Sequence, residues 1–347
     1  MSESDDNGQK TFPDPAFKPL TGFRPLAQAV RKVARKVRAE RQAATPPRGS
    51  TLRLIEGSLI MAASDYRPEV AFQHTILCQT CLPYRDPGGD VLEWQRDNGF
   101  ASLLLSAGKA LHQSGQWVQI GLPFGPKPRL ILAHLNTQAI LTQSPVVDVE
   151  QSLTGFVKAL KLDHTGYNVK ALKQQLTRLA ASDFRIGVAR EGTPVETHKG
   201  QIVKKFDLWM EKDARQRVLW SRSITLNTDY FQSLVAHAVP LDANALACLA
   251  NNAMALDCYA WLAQRAHRVH PSAPALIGWA ALQRQFGQGY TRIRKFREIF
   301  TRTLRLVKAV YPAVSFGLDG QGMTISNSPP PIAKRPITVP ALPAQAG

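Results

Sequence analysis

The 347-residue sequence predicts an α+β fold, and three observations carry that prediction. Residues 276–326 hold an apolar-periodic segment at 277–286, a stop at Gly287-Gln288-Gly289, a second periodic segment at 291–311 and two short strand-like runs around 319–322. The same order, in pattern though not in close sequence, occurs at 152–209. Lys and Arg outnumber Asp and Glu by 43 to 26, a formal charge of +17. Helix, tight turn, helix and hairpin is the order of a winged helix-turn-helix. The expected architecture is therefore two such domains in tandem, with a disordered basic N-terminal arm and a Pro-rich disordered tail. The expected boundaries are 1–50 for the arm, 51–227 and 228–327 for the two winged-helix domains, and 328–347 for the tail.

Residues 1–23 are polar and Pro-rich without periodicity, the composition of a disordered segment. Beyond them Leu26, Val30, Val33 and Val37 fall at helical spacing among Arg31, Lys32, Arg35, Lys36, Arg38 and Arg41. That pattern predicts a basic amphipathic helix suited to non-specific contact with DNA phosphates. Residues 43–50 read as a linker.

In the first half, 72–84, 101–106 and 116–122 are strand-like. A helix starts around Pro128, breaks at Ser144-Pro145 and gives way to an extended run at 146–149. Ser152 is the expected N-cap of a short helix reaching Leu160. After a turn at 162–168, the helix at 168–181 sends Val169, Leu172, Leu176 and Leu179 inward. Asn168, Lys170, Lys173, Gln174, Thr177 and Arg178 are its expected DNA-binding residues, because amides, hydroxyls and cations can read base edges or phosphates. A strand at 184–189, a loop at 190–200 and a strand at 201–209 complete a long wing.

The second half opens with a strand at 217–226 and a small helix at 228–236. A long helix at 243–269 follows as the buried leading helix of the second domain, with Cys248 and Cys258 as small core residues. On the helix at 291–311, Ile293, Phe296, Phe300, Leu304, Val307 and Tyr311 form one face. Arg292, Arg294, Lys295, Arg297, Arg302, Arg305 and Lys308 occupy the rest, Glu298 is the only acid, and Pro312 ends the helix. The first six of these basic residues are expected to contact DNA. Residues 319–322, Asp-Gly-Gln-Gly, have hairpin chemistry.

The charge, with a pI near 10.0, predicts a polyanionic partner, nucleic acid before membrane. No apolar run is long enough to span a bilayer, the N-terminus lacks a signal-peptide core, and four cysteines in so long a chain are no disulfide framework. These features predict a cytoplasmic protein. His74, Cys78 and Cys81 have ligand-like spacing, but a structural zinc takes four ligands and no further pair lies nearby. His267 and His270 enclose an arginine and lack the His-apolar-His spacing of a nicking enzyme, and no phosphate-binding GxxxxGK[ST] loop is present. No catalytic residue, metal or cofactor is expected. Trp94 and Trp117, near Arg96, are expected in the core and at a salt bridge.

LPYR at 82–85, EWQRDNG at 93–99, GLPFGPKPRLILAHLNTQAI at 121–140, SLTGFVKALKL at 152–162, ALDCYAWLAQRAHRV at 255–269 and WAALQRQFGQGYTRIRKFR at 279–297 resemble the plasmid-encoded RepA replication initiator family. The resemblance covers roughly 55–330. It implies sequence-specific binding to repeated double-stranded sites at a plasmid origin, help in opening the duplex, and recruitment of a host replication initiator and replicative helicase. Related initiators have tandem winged helices and dimerise, so a homodimer is implied as well. The DNA-binding features alone fit equally a winged-helix transcriptional repressor without a replication role.

Overall fold

The computed structural model describes residues 50–63, 65–111, 114–149, 153–163, 165–190, 193–205, 223–287 and 289–333. The expected basic arm helix, Ser152 and the tail from 334 onward lie outside them. The described residues, all between 50 and 333, belong to one compact unit of mixed α and β structure.

The described chain begins with α1 (Ser50–Met61) and β1 (Val70–His74). The strand stops at His74, not at Tyr84 as the apolar pattern suggests. The His74 ring accepts the Ile76 N–H at 3.2 Å and the Thr80 hydroxyl donates to the Ile76 carbonyl at 2.9 Å, local bonds that turn the chain. Cys78 and Cys81 are thus buried in turns, and burial pushes both thiols well above their ordinary pKa.

Next come β2 (Glu93–Asp97), β3 (Ala101–Ser106), β4 (Lys109–Leu111) and β5 (Trp117–Gln119), the last shorter than the 116–122 run predicted. Trp117 is not a core residue but 67% exposed. Trp94 lies under the Arg96 guanidinium at 4.6 Å, and Arg96, itself buried, has two guanidinium nitrogens without a hydrogen-bond partner where a salt bridge was expected.

Helix α2 (Pro126–Thr142) takes proline in its first turn, where no intrahelical donor is lost. It is followed by β6 (Val146–Asp148), α3 (Leu153–Ala159) and α4 (Gly166–Ala181). Helix α4 begins two residues earlier than predicted because the Thr165 hydroxyl accepts the Asn168 N–H at 3.3 Å.

Strands β7 (Asp183–Arg190) and β8 (Thr193–Gln201) make a long hairpin, in register from Asp183↔Gln201 to Val188↔Glu196. The loop predicted at 190–200 is therefore mostly strand, consistent with the alternation of β-branched Thr193, Val195 and Thr197. After β9 (Val203–Lys205), residues 206–222 lie outside the described set, and β10 (Ser223–Leu226) resumes.

Helix α5 (Thr228–His237) and β11 (Ala238–Asp242) lead into α6 (Ala243–Cys248) and α7 (Ala253–Arg265). The single helix predicted over 243–269 is broken at 249–252, where the Asn252 side chain accepts the Ala255 N–H at 3.0 Å and starts a new helix. Every residue from Ala253 to Gln264 is buried, so α7 is the axis of the core.

The chain closes with β12 (Ala275–Gly278), α8 (Trp279–Phe286), α9 (Ile293–Val310), β13 (Phe316–Leu318) and β14 (Gly322–Ile325). Ile277, predicted to open the helix, is paired with Met323 instead, beside Leu276 opposite Thr324. A Cβ on Gly322 would collide with the Ile277 carbonyl, so this approach requires glycine.

The sheets run β2-β3-β7-β8, β6-β10-β9, β12-β14-β13 and two antiparallel pairs, β4-β5 and β1-β11. The last pair joins residues on either side of Asn227, with Val70 opposite Asp242. A buried ion pair adds a second tie across the same divide. Arg129 of α2 grips Asp257 of α7 through Nε–Oδ1 at 2.6 Å and Nη2–Oδ2 at 2.7 Å, and donates to the Leu82 and Gly125 carbonyls at 2.7 and 2.6 Å. Burial opposes the Arg129 charge, but the Asp257 carboxylate outweighs it and holds the guanidinium above its ordinary pKa. Among the described residues, no helix is long and apolar enough to cross a membrane.

Candidate nucleic-acid interface

Two modules share the order helix, turn, helix, hairpin: α3, α4 and β7–β8, then α8, α9 and β13–β14. In the second, the rotation of α9 is set by aromatic packing. Phe296 and Phe300, 5.2 Å apart by ring centroids, are fully buried one turn apart. Phe300 meets Phe286 at 5.4 Å and Trp279 at 6.3 Å, and Phe286 meets Trp261 of α7 at 5.1 Å. With that face locked inward, Arg294, Lys295, Glu298, Arg302 and Arg305 face solvent.

The six predicted cations of this module have three fates. Arg297 lies over the Trp279 ring at 4.6 Å and donates to the Asp319 carbonyl at 3.4 Å, linking α9 to the hairpin tip. Lys295 and Arg302 share Glu298 at 3.0 and 3.2 Å, and Lys295 in particular holds that carboxyl below its usual range. The side chains of Arg292, Arg294 and Arg305 make no hydrogen bond or ion pair with described residues. Trp279, Arg297, Thr301, Arg302, Arg305 and Asp319 line an open groove of about 390 Å³ between α9 and the hairpin. The tip is tied down by hydrogen bonds: the Asp319 carboxylate accepts the Gln321 and Gly322 N–H groups at 2.8 and 2.9 Å, and the Trp279 indole donates to the Asp319 carbonyl at 3.0 Å.

In the first module, α4 packs on α2 and α3. Lys170 and Gln174 are exposed, while Lys173 and Thr177 are half-buried beside them. Asn168 is drawn into the turn, its side-chain amide donating to the Asp163 carbonyl at 2.8 Å. Arg178 points back: it donates to the Leu122 carbonyl at 3.0 Å, pairs with Asp86 at 3.4 Å and stacks on Phe124 at 5.0 Å. Buried Gln175 reinforces this by accepting the Phe124 N–H at 2.8 Å. The structure thus leaves the outward face of α4 to Lys170, Gln174 and their half-buried neighbours.

Sequence reasoning passed over two residues at this face. Tyr167, assigned to the turn, is 80% exposed in the first turn of α4. Lys127, between two prolines, brings its ammonium 5.7 Å from the Tyr167 ring centroid. An aromatic at the second position of a helix, outside the apolar stripe, was the available signal for Tyr167. Nothing local to 127 announces that α2 starts beside α4.

The metal-like spacing has a different use. His74 Nδ1 accepts a backbone amide, so Nε2 carries the proton and donates to Ser233 Oγ at 3.0 Å. Among the described residues, no cluster of three or more His, Cys, Asp or Glu is placed to hold a metal ion.

Comparison with known proteins places this geometry in context. Crystal structures of domains 2 and 3 of RctB overlap the chain at 10% and 12% identity with a TM-score of 0.44 in each case. The first covers 67% of this chain and 83% of that one, the second 70% and 83%. None of the curated proteins matches. The sequence profile of a family described as plasmid encoded RepA protein matches residues 122–279, a narrower span than the resemblance at 55–330. It takes in the blocks at 152–162 and 255–269 and nearly all of 121–140. Residues 122–279 of the chain are thus similar to the family described as plasmid encoded RepA protein.

Proposed function

We propose that this chain is a plasmid replication initiator that binds repeated duplex sites at a plasmid origin and catalyses no reaction. The carrying observation is the second module: a helix locked by aromatics, with the side chains of Arg292, Arg294 and Arg305 outside every ion pair among the described residues and a hydrogen-bonded hairpin tip beside it. That arrangement suits a winged helix-turn-helix, α9 in the major groove and the β13–β14 wing along the backbone. The first module supports the same reading with a less charged helix and a longer wing, so two winged-helix domains, 51–227 and 228–327, would read one repeat. Free cations position the protein on phosphates; amides such as Gln174 distinguish bases. Opening of the origin, recruitment of a host initiator and replicative helicase, and dimerisation follow from the family resemblance as parts of the proposal.

The test is filter binding of the full chain to duplex DNA from its own plasmid origin across a salt series. Six to eight phosphate contacts give a log–log slope of roughly −5 to −7. A slope near zero overturns the reading. Deleting the gene from its plasmid then separates initiator from repressor, since only loss of replication fits the initiator.

A further inference from the structure

In the second module the cations at the start of the reading helix, Arg292, Arg294 and Lys295, belong to that helix or its cap. The first turn of α4, Gly166 to Asn168, has none. A cation reaches it from elsewhere: Lys127, in the first turn of α2, spans to the Tyr167 ring. The position is costly for a lysine. It faces the positive end of a 17-residue helix, half-burial pushes its ammonium pKa down with no acid offsetting it, and Pro126 and Pro128 restrict the backbone on either side. Tyr167 leaves a large ring in solvent at the head of an exposed stripe continued by Lys170 and Gln174 at helical spacing. The loop preceding Lys127 is pinned to α4 by Gln175 on the Phe124 amide and Arg178 on the Leu122 carbonyl, so the lysine is held in register with the helix.

Building on the reading above, we propose that Lys127 and Tyr167 form a DNA-backbone subsite at the leading end of α4, Lys127 taking a phosphate and Tyr167 packing on the adjoining sugar. A phosphate there neutralises the ammonium, which lies in the first turn of α2 at the positive end of that helix. Gln175 and Arg178 are its positioning residues.

The experiment repeats the salt series with full-length K127Q, K127R and Y167A on origin DNA and on an unrelated duplex, with thermal melts alongside. One lost phosphate contact reduces the slope by about 0.9 and weakens binding about 5-fold at 0.15 M salt. K127Q should do so on both DNAs without lowering the melting temperature, and K127R should restore the slope. Y167A should weaken both DNAs alike and leave the slope unchanged. If the native chain shows the steep slope while K127Q keeps the native slope and affinity, the subsite is wrong and the pair is a packing contact. If K127Q weakens only origin DNA, it is a base reader and the proposal also fails. A flat slope in the native chain removes both this inference and the reading it rests on.

Discussion

The two helix–turn–helix modules reach similar outlines by opposite means. In the second, turn and helix are held locally. Gly289 adopts φ +90°, the Tyr290 N–H donates to the Gly287 carbonyl at 2.9 Å, and four aromatic rings fix the rotation of α9. In the first, the turn is held from a distance. Lys161, left-handed at φ 53°, sends its ammonium to Glu69 and to Asn244 at 2.7 Å, and Arg53 binds Asp163 at 2.5 Å. Helix α4 is then clamped through Arg178 and Gln175. Where apolar rings do the fixing, polar side chains remain outward; where polar side chains do it, few are left. Under the proposed reading, the second module would supply salt-dependent affinity and the first discrimination between sequences.

The most disruptive way to break this comparison is to cut the tie between the helices leading to each module. Asp257→Ala leaves the Arg129 guanidinium buried and unpaired, which costs about 3–5 kcal/mol, read as a fall in the urea midpoint. The double replacement Arg129→Met with Asp257→Leu should recover most of that loss. If it does not, the pair matters for the carbonyls it organises and not for its charge.

Acid should weaken the fold where α2 packs on the first module. His134 of α2 stacks edge-on against Phe156 of α3 at 5.3 Å, and burial lowers its pKa to about 4. The unfolded chain takes up a proton near pH 6.5 that the folded chain refuses until about pH 4. Stability therefore falls as pH drops through that window, by about 3 kcal/mol when complete. Chemical denaturation at pH 7 and pH 4.5 measures it, and His134→Phe should flatten the dependence. The second module, without a histidine in α8 or α9, has no equivalent.

The smallest effect separates the arginines. Arg305→Ala should reduce the salt slope by about 0.9 with the melting temperature unchanged. Arg178→Ala should lower the melting temperature by loosening the loop at 122–125, with the slope kept. Swapped outcomes would reverse the division of labour.

What was legible in the sequence follows from the range of the forces involved. Helix α9 was placed within two residues because its apolar stripe is both its fold signal and its packing face. The break at 249–252 was not, since it depends on one asparagine capping a helix inside an otherwise helix-compatible run. The direction of Arg178 was illegible for another reason. A helical wheel orients a side chain against its own helix, and Phe124 and Leu122 arrive from more than fifty residues upstream. Lys127 beside Tyr167 escaped notice on the same ground, being a meeting of two helices that only the fold brings together.

The pairing of β1 with β11 also has a consequence in time. Val70 finds its partner Asp242 roughly 170 residues later. At about 5–20 residues per second, a ribosome takes roughly 10–30 s to supply it. Until then the apolar Val-Ala-Phe run of β1 is an unmatched strand edge on a nascent chain, and closing so large a loop makes this sheet a slow element to form. Synthesis, and not the chain's intrinsic collapse, sets the earliest moment at which the two halves can close on each other.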